Sequence, residues 1–174
     1  MAFKFFSKTR IEKIMSKKIT HTDIIVVGAG IAGIASAYYL KKKRAKSRFF
    51  ILEALDSFGG TWYTHKYPGV RSDSDLFTFG YSFKSWNDAP IATASEILKY
   101  IGETIKENNI QNNIKYNHKV LKADWSNSEK KWTLMVEHST KKQILYFSCN
   151  FLQMCQGYYR QNQGYIPNWK NIEN

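Results

Sequence analysis

The chain has 174 residues, room for one domain of ordinary size. A hydrophobic fraction of 43% and an aromatic fraction of 16% supply a core, and a charged fraction of 23% argues against disorder throughout. The formal net charge of +12 would suit nucleic acid, but the cations are 21 Lys and only 5 Arg, scattered along the chain. Arg is the side chain that reads phosphates and bases bidentately, so nucleic acid is not expected as a partner.

No apolar run approaches the roughly 18 residues of a membrane-spanning helix. Residues 1–22 are basic and carry Phe3, Phe5, Phe6, Ile11 and Ile14 without a sustained period. They lack the apolar centre of a secretory signal, roughly 7–15 residues long. They are expected to form a disordered lead, with Met15 as an alternative start, on a soluble, cytoplasmic protein.

Ile24-Ile25-Val26-Val27 is a β-branched run, expected as a strand buried on both faces of a parallel sheet. It feeds Gly28-Ala29-Gly30-Ile31-Ala32-Gly33, a G-x-G-x-x-G pattern, and residues 34–40 then read as helix. Gly28 permits the tight turn, Gly30 lets the backbone approach a pyrophosphate, and Gly33 lets helix pack on strand. The helix's free N–H groups and positive end then face the phosphates. Lys41-Lys42-Lys43-Arg44 suits a solvated last turn.

Residues 48–52 form a second apolar strand, and Glu53 follows at its end, twenty residues after Gly33. An acid there accepts hydrogen bonds from the ribose hydroxyls of an adenine dinucleotide. Strand, glycine loop, helix, strand and acid in this order identify a dinucleotide site far better than the glycines alone. Gly59-Gly60-Thr61-Trp62 comes next, where a simple NAD-binding unit would proceed to another helix, and this loop favours FAD.

Arg71 and Asp73 follow a Pro-Gly turn two residues apart, so in an extended segment they share a face. They are either a charge pair that orients a cofactor or an exposed ion pair worth at most ~1 kcal/mol. Residues 94–109 read as a helix with Ser95 as its N-cap, an apolar stripe of Ile97, Leu98, Ile101 and Ile105, and Asn108-Asn109 as its end. Residues 114–120, 131–136, 143–147 and 151–154 read as strands, with His118 a satisfied core residue. Cys149 and Cys155 are expected as buried free thiols alternating along a strand. Neither they nor His21, His65, His118 and His138 have metal-ligand spacing, so no metal site is expected.

Gly59-Gly60-Thr61-Trp62-Tyr63, Tyr67-Pro68-Gly69-Val70-Arg71-Ser72-Asp73-Ser74-Asp75 and Phe77-Thr78-Phe79-Gly80-Tyr81-Ser82-Phe83 carry a resemblance. They are similar to flavin-containing monooxygenases of the Baeyer–Villiger type, nearest the ethionamide-activating branch, and the resemblance runs over residues 23–167. It implies an α/β, Rossmann-like FAD/NAD(P)-binding domain with a parallel sheet and a small antiparallel β-meander, incomplete at its C-terminus. It also implies an oxidoreductase in which FAD, reduced by NADPH, reacts with O₂ to give a C4a-peroxide. That species oxygenates a small ketone or a sulfur-containing substrate.

By resemblance, Glu53 holds the adenosine ribose, and Gly60, Thr61, Trp62 and Tyr63 line the pyrophosphate and flavin side. Asp73 sits near the flavin, Arg71, Ser72 and Asp73 lie where the nicotinamide approaches, and Val120 makes a backbone contact with the adenine. Phe79 stands where many relatives have a cofactor-contacting tyrosine. Gln156 replaces the threonine of a small-residue–Thr–Gly turn at Cys155-Gln156-Gly157.

Relatives continue with a Phe-x-Gly-x-x-x-His-x-x-x-Trp fingerprint, a second glycine motif for NADPH, a catalytic arginine and a returning FAD segment. None of these occurs in the 174 residues. Residues 23–174 are thus expected to be the N-terminal portion of an FAD-binding domain, inactive alone. The alternative is a non-catalytic FAD-binding module that works with a separately encoded partner.

Overall fold

The computed structural model of the protein describes residues 18–159 and 164–170. Six strands make one mixed sheet: β1 (Ile19–Val27), β2 (Phe49–Leu52), β3 (Ile114–Lys115), β4 (His118–Ser126), β5 (Lys131–His138) and β6 (Gln143–Met154). Their spatial order is β3-β2-β1-β6-β5-β4. β1 is parallel to β2 and β6, and β2 is parallel to β3, whereas β4, β5 and β6 form an antiparallel meander. Among the described residues four α-helices accompany the sheet: α1 (Ile31–Lys43), the short α2 (Thr61–Thr64) and α3 (Leu76–Phe79), and α4 (Ala94–Glu107). The α/β class with a parallel half and an antiparallel meander is as the sequence implies.

β1 is buried on both faces, as its unbroken β-branched run requires. Ile25 and Val27 join Leu52, Leu134, Val136, Phe147 and Cys149 in one cluster. Val26 faces the other way, into a larger cluster with Ile34, Ile51, Ile97 and Ile101. Among the described residues no helix is long and apolar enough to cross a membrane.

Several elements differ from expectation. β1 begins at Ile19, inside the expected lead, because Ile19 to Thr22 pair with Tyr146 to Cys149 of β6. Residues 1–17 of that lead, Met15 among them, lie outside the described residues. The strands expected at 143–147 and 151–154 are one strand, since β6 pairs with β5 along its first part and with β1 along its later part. The strand expected at 114–120 is two, because Asn117 takes a left-handed φ of 59° and turns the chain from β3 into the meander. Cys149 is a buried free thiol, pushed up to about 11 chiefly by burial. Cys155 is also free but lies beyond the end of β6 and is only half-buried, so the two do not alternate along one strand.

The cap of α4 is Thr93 rather than Ser95. The Thr93 hydroxyl accepts from the Glu96 N–H, and the Glu96 carboxylate accepts from the Thr93 N–H at 2.7 Å, a reciprocal capping box. Ser95 touches only the Thr93 hydroxyl, at 3.0 Å. Asn108 ends the helix as expected.

Aromatic rings tie the 77–83 run to both long helices. Phe83 stacks on Tyr38 of α1 at 3.5 Å between centroids and on Tyr81 at 4.8 Å. Tyr81 stacks on Tyr100 of α4 at 5.3 Å and donates from Oη to the carbonyl of Ile31, in the first turn of α1. Burial pushes the Tyr81 hydroxyl well above its ordinary value, so it stays a donor. The Tyr100 hydroxyl donates to the Lys84 carbonyl and accepts from the Tyr81 N–H at 2.8 Å.

The capping box predicts that Thr93→Ala lowers unfolding stability by about 1 kcal/mol. Ser95→Ala should change it by less than about 0.5 kcal/mol. Urea denaturation followed by circular dichroism measures both, and equal losses would return the cap to Ser95.

Candidate dinucleotide-binding site

The site is built where β1 ends and α1 begins. Gly28 has φ of 101°, in the left-handed region, and a Cβ there would lie 2.7 Å from the carbonyl oxygen of Cys155. A Cβ on Gly33 would lie 1.9 Å from the Gly28 carbonyl oxygen, so helix and turn touch backbone to backbone. Both placements match the roles read from the motif. Gly30 is the N-cap of α1; it has no side-chain cap, and no acidic residue occupies the first turn. The positive end of a thirteen-residue helix is therefore left for a ligand.

The second glycine loop packs on the first, a contact that no local pattern announces. Gly59 donates its N–H to the Ala29 carbonyl at 3.0 Å. A Cβ on Gly60, whose φ is 55°, would come within 3.1 Å of Gly30 Cα. The two loops thus meet at bare backbone and form one wall.

Glu53 is 6% exposed and sits behind that wall. One carboxylate oxygen accepts from the Ala29 N–H at 2.6 Å and the other from the Leu55 N–H at 2.9 Å. Its main chain is held as well, donating to the Lys115 carbonyl and accepting from the His118 N–H. Each carboxylate oxygen retains a further lone-pair direction toward which a hydroxyl could donate.

The other expected site residues spread outward from this centre. Thr61, Trp62 and Tyr63 form α2, directly after Gly60. Trp62 meets Phe79 edge-on at 6.0 Å, and Tyr63 donates to the Asp56 carboxylate at 2.7 Å. That hydrogen bond, ahead of desolvation, raises the Tyr63 hydroxyl above its ordinary value. Arg71 and Asp73 are exposed and form no ion pair with each other, so the surface ion pair is not what the structure shows. Ser72 between them is buried; its hydroxyl donates to the Ser74 carbonyl and accepts from the Ser74 N–H. Val120 lies in β4 opposite Val136, at a bulge.

His118 is half-buried, as expected of a core residue. Its ring lies 4.7 Å from that of His138, and burial is the chief cause of its lowered pKa. Sequence reasoning placed Cys155 at a turn but missed that its backbone walls Gly28 and donates to the Val27 carbonyl. It missed Tyr81 as the anchor of the helix start. No local pattern marks either, because both act across more than forty residues of chain.

The glycine geometry separates two substitutions. Gly33→Ala should cost at least about 3 kcal/mol, because backbone must move. Gly30→Ala should stay within about 0.5 kcal/mol, since a Cβ there meets nothing closer than Gly60 Cα at 3.6 Å. Thermal unfolding of both variants checks this, and a stable Gly33→Ala protein would refute the close packing.

Comparisons with known proteins agree with this geometry. A family model for an NAD(P)-binding Rossmann-like domain matches residues 26–92. The chain is 45% identical over 155 residues to the FAD-containing monooxygenase EthA of Mycolicibacterium smegmatis, covering 88% of this chain and 31% of that protein. It is 43% identical over 152 residues to a probable FAD-binding monooxygenase, AlmA, of an Acinetobacter species, covering 87% and 30%.

Among solved structures, a steroid monooxygenase bound to NADP superposes with a TM-score of 0.69 at 28% identity, over 79% of this chain and 26% of that one. The OTEMO complex with FAD and NADP shares the fold, with a TM-score of 0.69 at 24% identity over 90% and 29%. The chain is thus similar to these flavin-containing monooxygenases over a Rossmann-like dinucleotide-binding region, and it spans about 30% of the length of the curated relatives it matches.

Proposed function

We propose that this chain binds FAD and supplies the FAD-binding part of an NADPH-dependent flavoprotein monooxygenase. The observation that carries the proposal is the joined glycine wall: an uncapped helix start at Gly30, pressed against Gly60, with the buried carboxylate of Glu53 behind it. The residues fit the group. A pyrophosphate needs bare backbone and free N–H donors, and the Gly28, Gly30 and Gly33 loop offers both.

In this reading Glu53 takes the ribose hydroxyls while still bracing Ala29 and Leu55. Gly60, Thr61, Trp62 and Tyr63 line the path toward the isoalloxazine, and the backbone at Val120 borders the adenine. Arg71 and Asp73, exposed and not paired together, stay available to a nicotinamide cofactor. Ser72, engaged with Ser74, holds the loop that presents them.

When bound, the flavin supplies hydride acceptance and oxygen activation. The residues of this chain orient it and exclude water from its pyrophosphate. NADPH, O₂ and a small ketone or sulfur-containing substrate complete the reaction in the whole protein, for which a cytoplasmic location is part of the proposal.

Gel filtration after incubation with FAD tests it. The folded chain should retain flavin absorbance, and excess NADP should not displace it. Gly30→Ala should weaken FAD retention by about tenfold, roughly 1.4 kcal/mol, with unchanged unfolding. Folded wild-type protein that elutes without flavin would overturn the assignment.

A further inference from the structure

His118 and His138 are twenty residues apart in sequence, and the meander sets them directly opposite each other on β4 and β5. Ser139 donates its N–H to the Asn117 carbonyl at 3.0 Å, so residues 117 and 139 are a hydrogen-bonded pair of the ladder. The next pair along, His118 and His138, is then a non-hydrogen-bonded pair, the kind that brings side chains closest. In keeping with this, the His118 N–H points out of the ladder, to the Glu53 carbonyl at 2.7 Å.

The two rings lie 4.7 Å apart between centroids and are tilted by 49°, neither stacked nor edge-on. Each has its Nδ1 engaged. His118 Nδ1 lies 2.6 Å from the Tyr116 carbonyl oxygen, and His138 Nδ1 lies 3.2 Å from the Thr140 hydroxyl. A carbonyl only accepts, so His118 Nδ1 carries the hydrogen and the neutral ring keeps its lone pair at Nε2. An imidazole held by one nitrogen, with the other bare, is the arrangement that outer-shell hydrogen bonds impose on metal-ligating histidines.

The spacing fits a shared ion. An ion about 2.1 Å from each Nε2 is roughly 3.2 Å from each ring centre, and rings 4.7 Å apart then subtend about 95° at it. That angle lies between the ~90° of square-planar and the ~109° of tetrahedral coordination. Among the described residues no third His, Cys, Asp or Glu joins the pair. Lys115 and Lys141 bring like charge toward His118. Such surroundings exclude Ca²⁺ and Mg²⁺, which need several oxygen ligands. Borderline transition ions, which bond to imidazole nitrogen, remain.

We propose that His118 and His138 form a two-imidazole chelate for a divalent transition ion such as Ni²⁺, Cu²⁺ or Zn²⁺, with water completing its shell. The ion staples the start of β4 to the end of β5, beside the Asn117 turn. The proposal does not depend on the FAD assignment.

The test titrates the untagged 174-residue chain with NiCl₂ by calorimetry and repeats thermal unfolding at saturating Ni²⁺. The expected result is one Ni²⁺ per chain and an unfolding temperature that rises with ion concentration. Loss of an outer-shell partner typically weakens metal binding by about 10–100-fold, so loss of a ligand should cost at least about tenfold. His118→Gln and His138→Gln should each do so and remove the thermal shift, while His21→Gln and His65→Gln change neither. Circular dichroism checks the fold of each variant, and His138→Gln decides alone should His118→Gln not fold. Three results would overturn the proposal: no Ni²⁺ bound by the folded chain, undiminished binding in folded His138→Gln, or binding lost in His21→Gln or His65→Gln.

Discussion

The carboxylate of Glu53 holds together what the rest of the site depends on. It is nearly enclosed, yet it accepts from two backbone N–H groups, Ala29 in the first glycine loop and Leu55 beyond β2. A buried carboxylate is tolerated only when such donors replace water, and removal of one partner leaves the other stranded at a cost of about 3–5 kcal/mol for a charged pair. The nearby helix start contributes positive potential of the same sense. Glu53 also bonds through its main chain to Lys115 of β3 and His118 of β4, so it ties the parallel half of the sheet to the start of the meander. Geometry at Ala29 then fixes Gly59 through its carbonyl, and Gly59 places Gly60 against Gly30.

β6 has an equivalent role for the sheet as a whole. Twelve residues at about 3.3 Å each give a strand long enough to serve two partners in different senses. Its first part closes the meander, and its later part continues the parallel arrangement begun by β1 and β2. Cys155 follows at once, and its carbonyl forms the floor under Gly28. The meander therefore does more than cover one face. It delivers the segment that makes Gly28 obligatory, which links a distant part of the chain to the first glycine loop.

Much of this was legible in the sequence because it is local. The β-branched run before Gly28, the spacing to Glu53 and the stripe of α4 each depend on a few neighbouring residues, and each is found where expected. The errors arose where tertiary pairing overrode local pattern. Ile19 to Thr22 looked like a tail and became strand because Tyr146 to Cys149 pair with them. Asn117 broke a well-alternating strand through a backbone conformation that asparagine tolerates but does not announce. Ser95 and Thr93 are both good caps, and the choice turned on which hydroxyl stands three residues before Glu96. At the site, Arg71 and Asp73 form no ion pair with each other, since charges with access to water gain little from pairing.

The same physics separates binding from reaction in this fold. On the proposed function, the end of the site assigned to the adenosine diphosphate moiety is close-packed: Ala29 and Ile34 are fully buried, and Glu53 nearly so. Toward the other end of a bound dinucleotide, the surroundings open. Tyr67 and Phe77 are more than half exposed, and Arg71 and Asp73 face solvent. In that reading, affinity for FAD depends largely on the enclosed end, where backbone donors and a fixed carboxylate act without reorganising. Oxygen chemistry at a flavin depends on the other end, where water must be kept out and charges held in place. On the proposed function, the described residues therefore suffice to hold the cofactor, while its reactivity is set by whatever polypeptide covers the apolar and charged surface around Tyr67, Arg71 and Phe77.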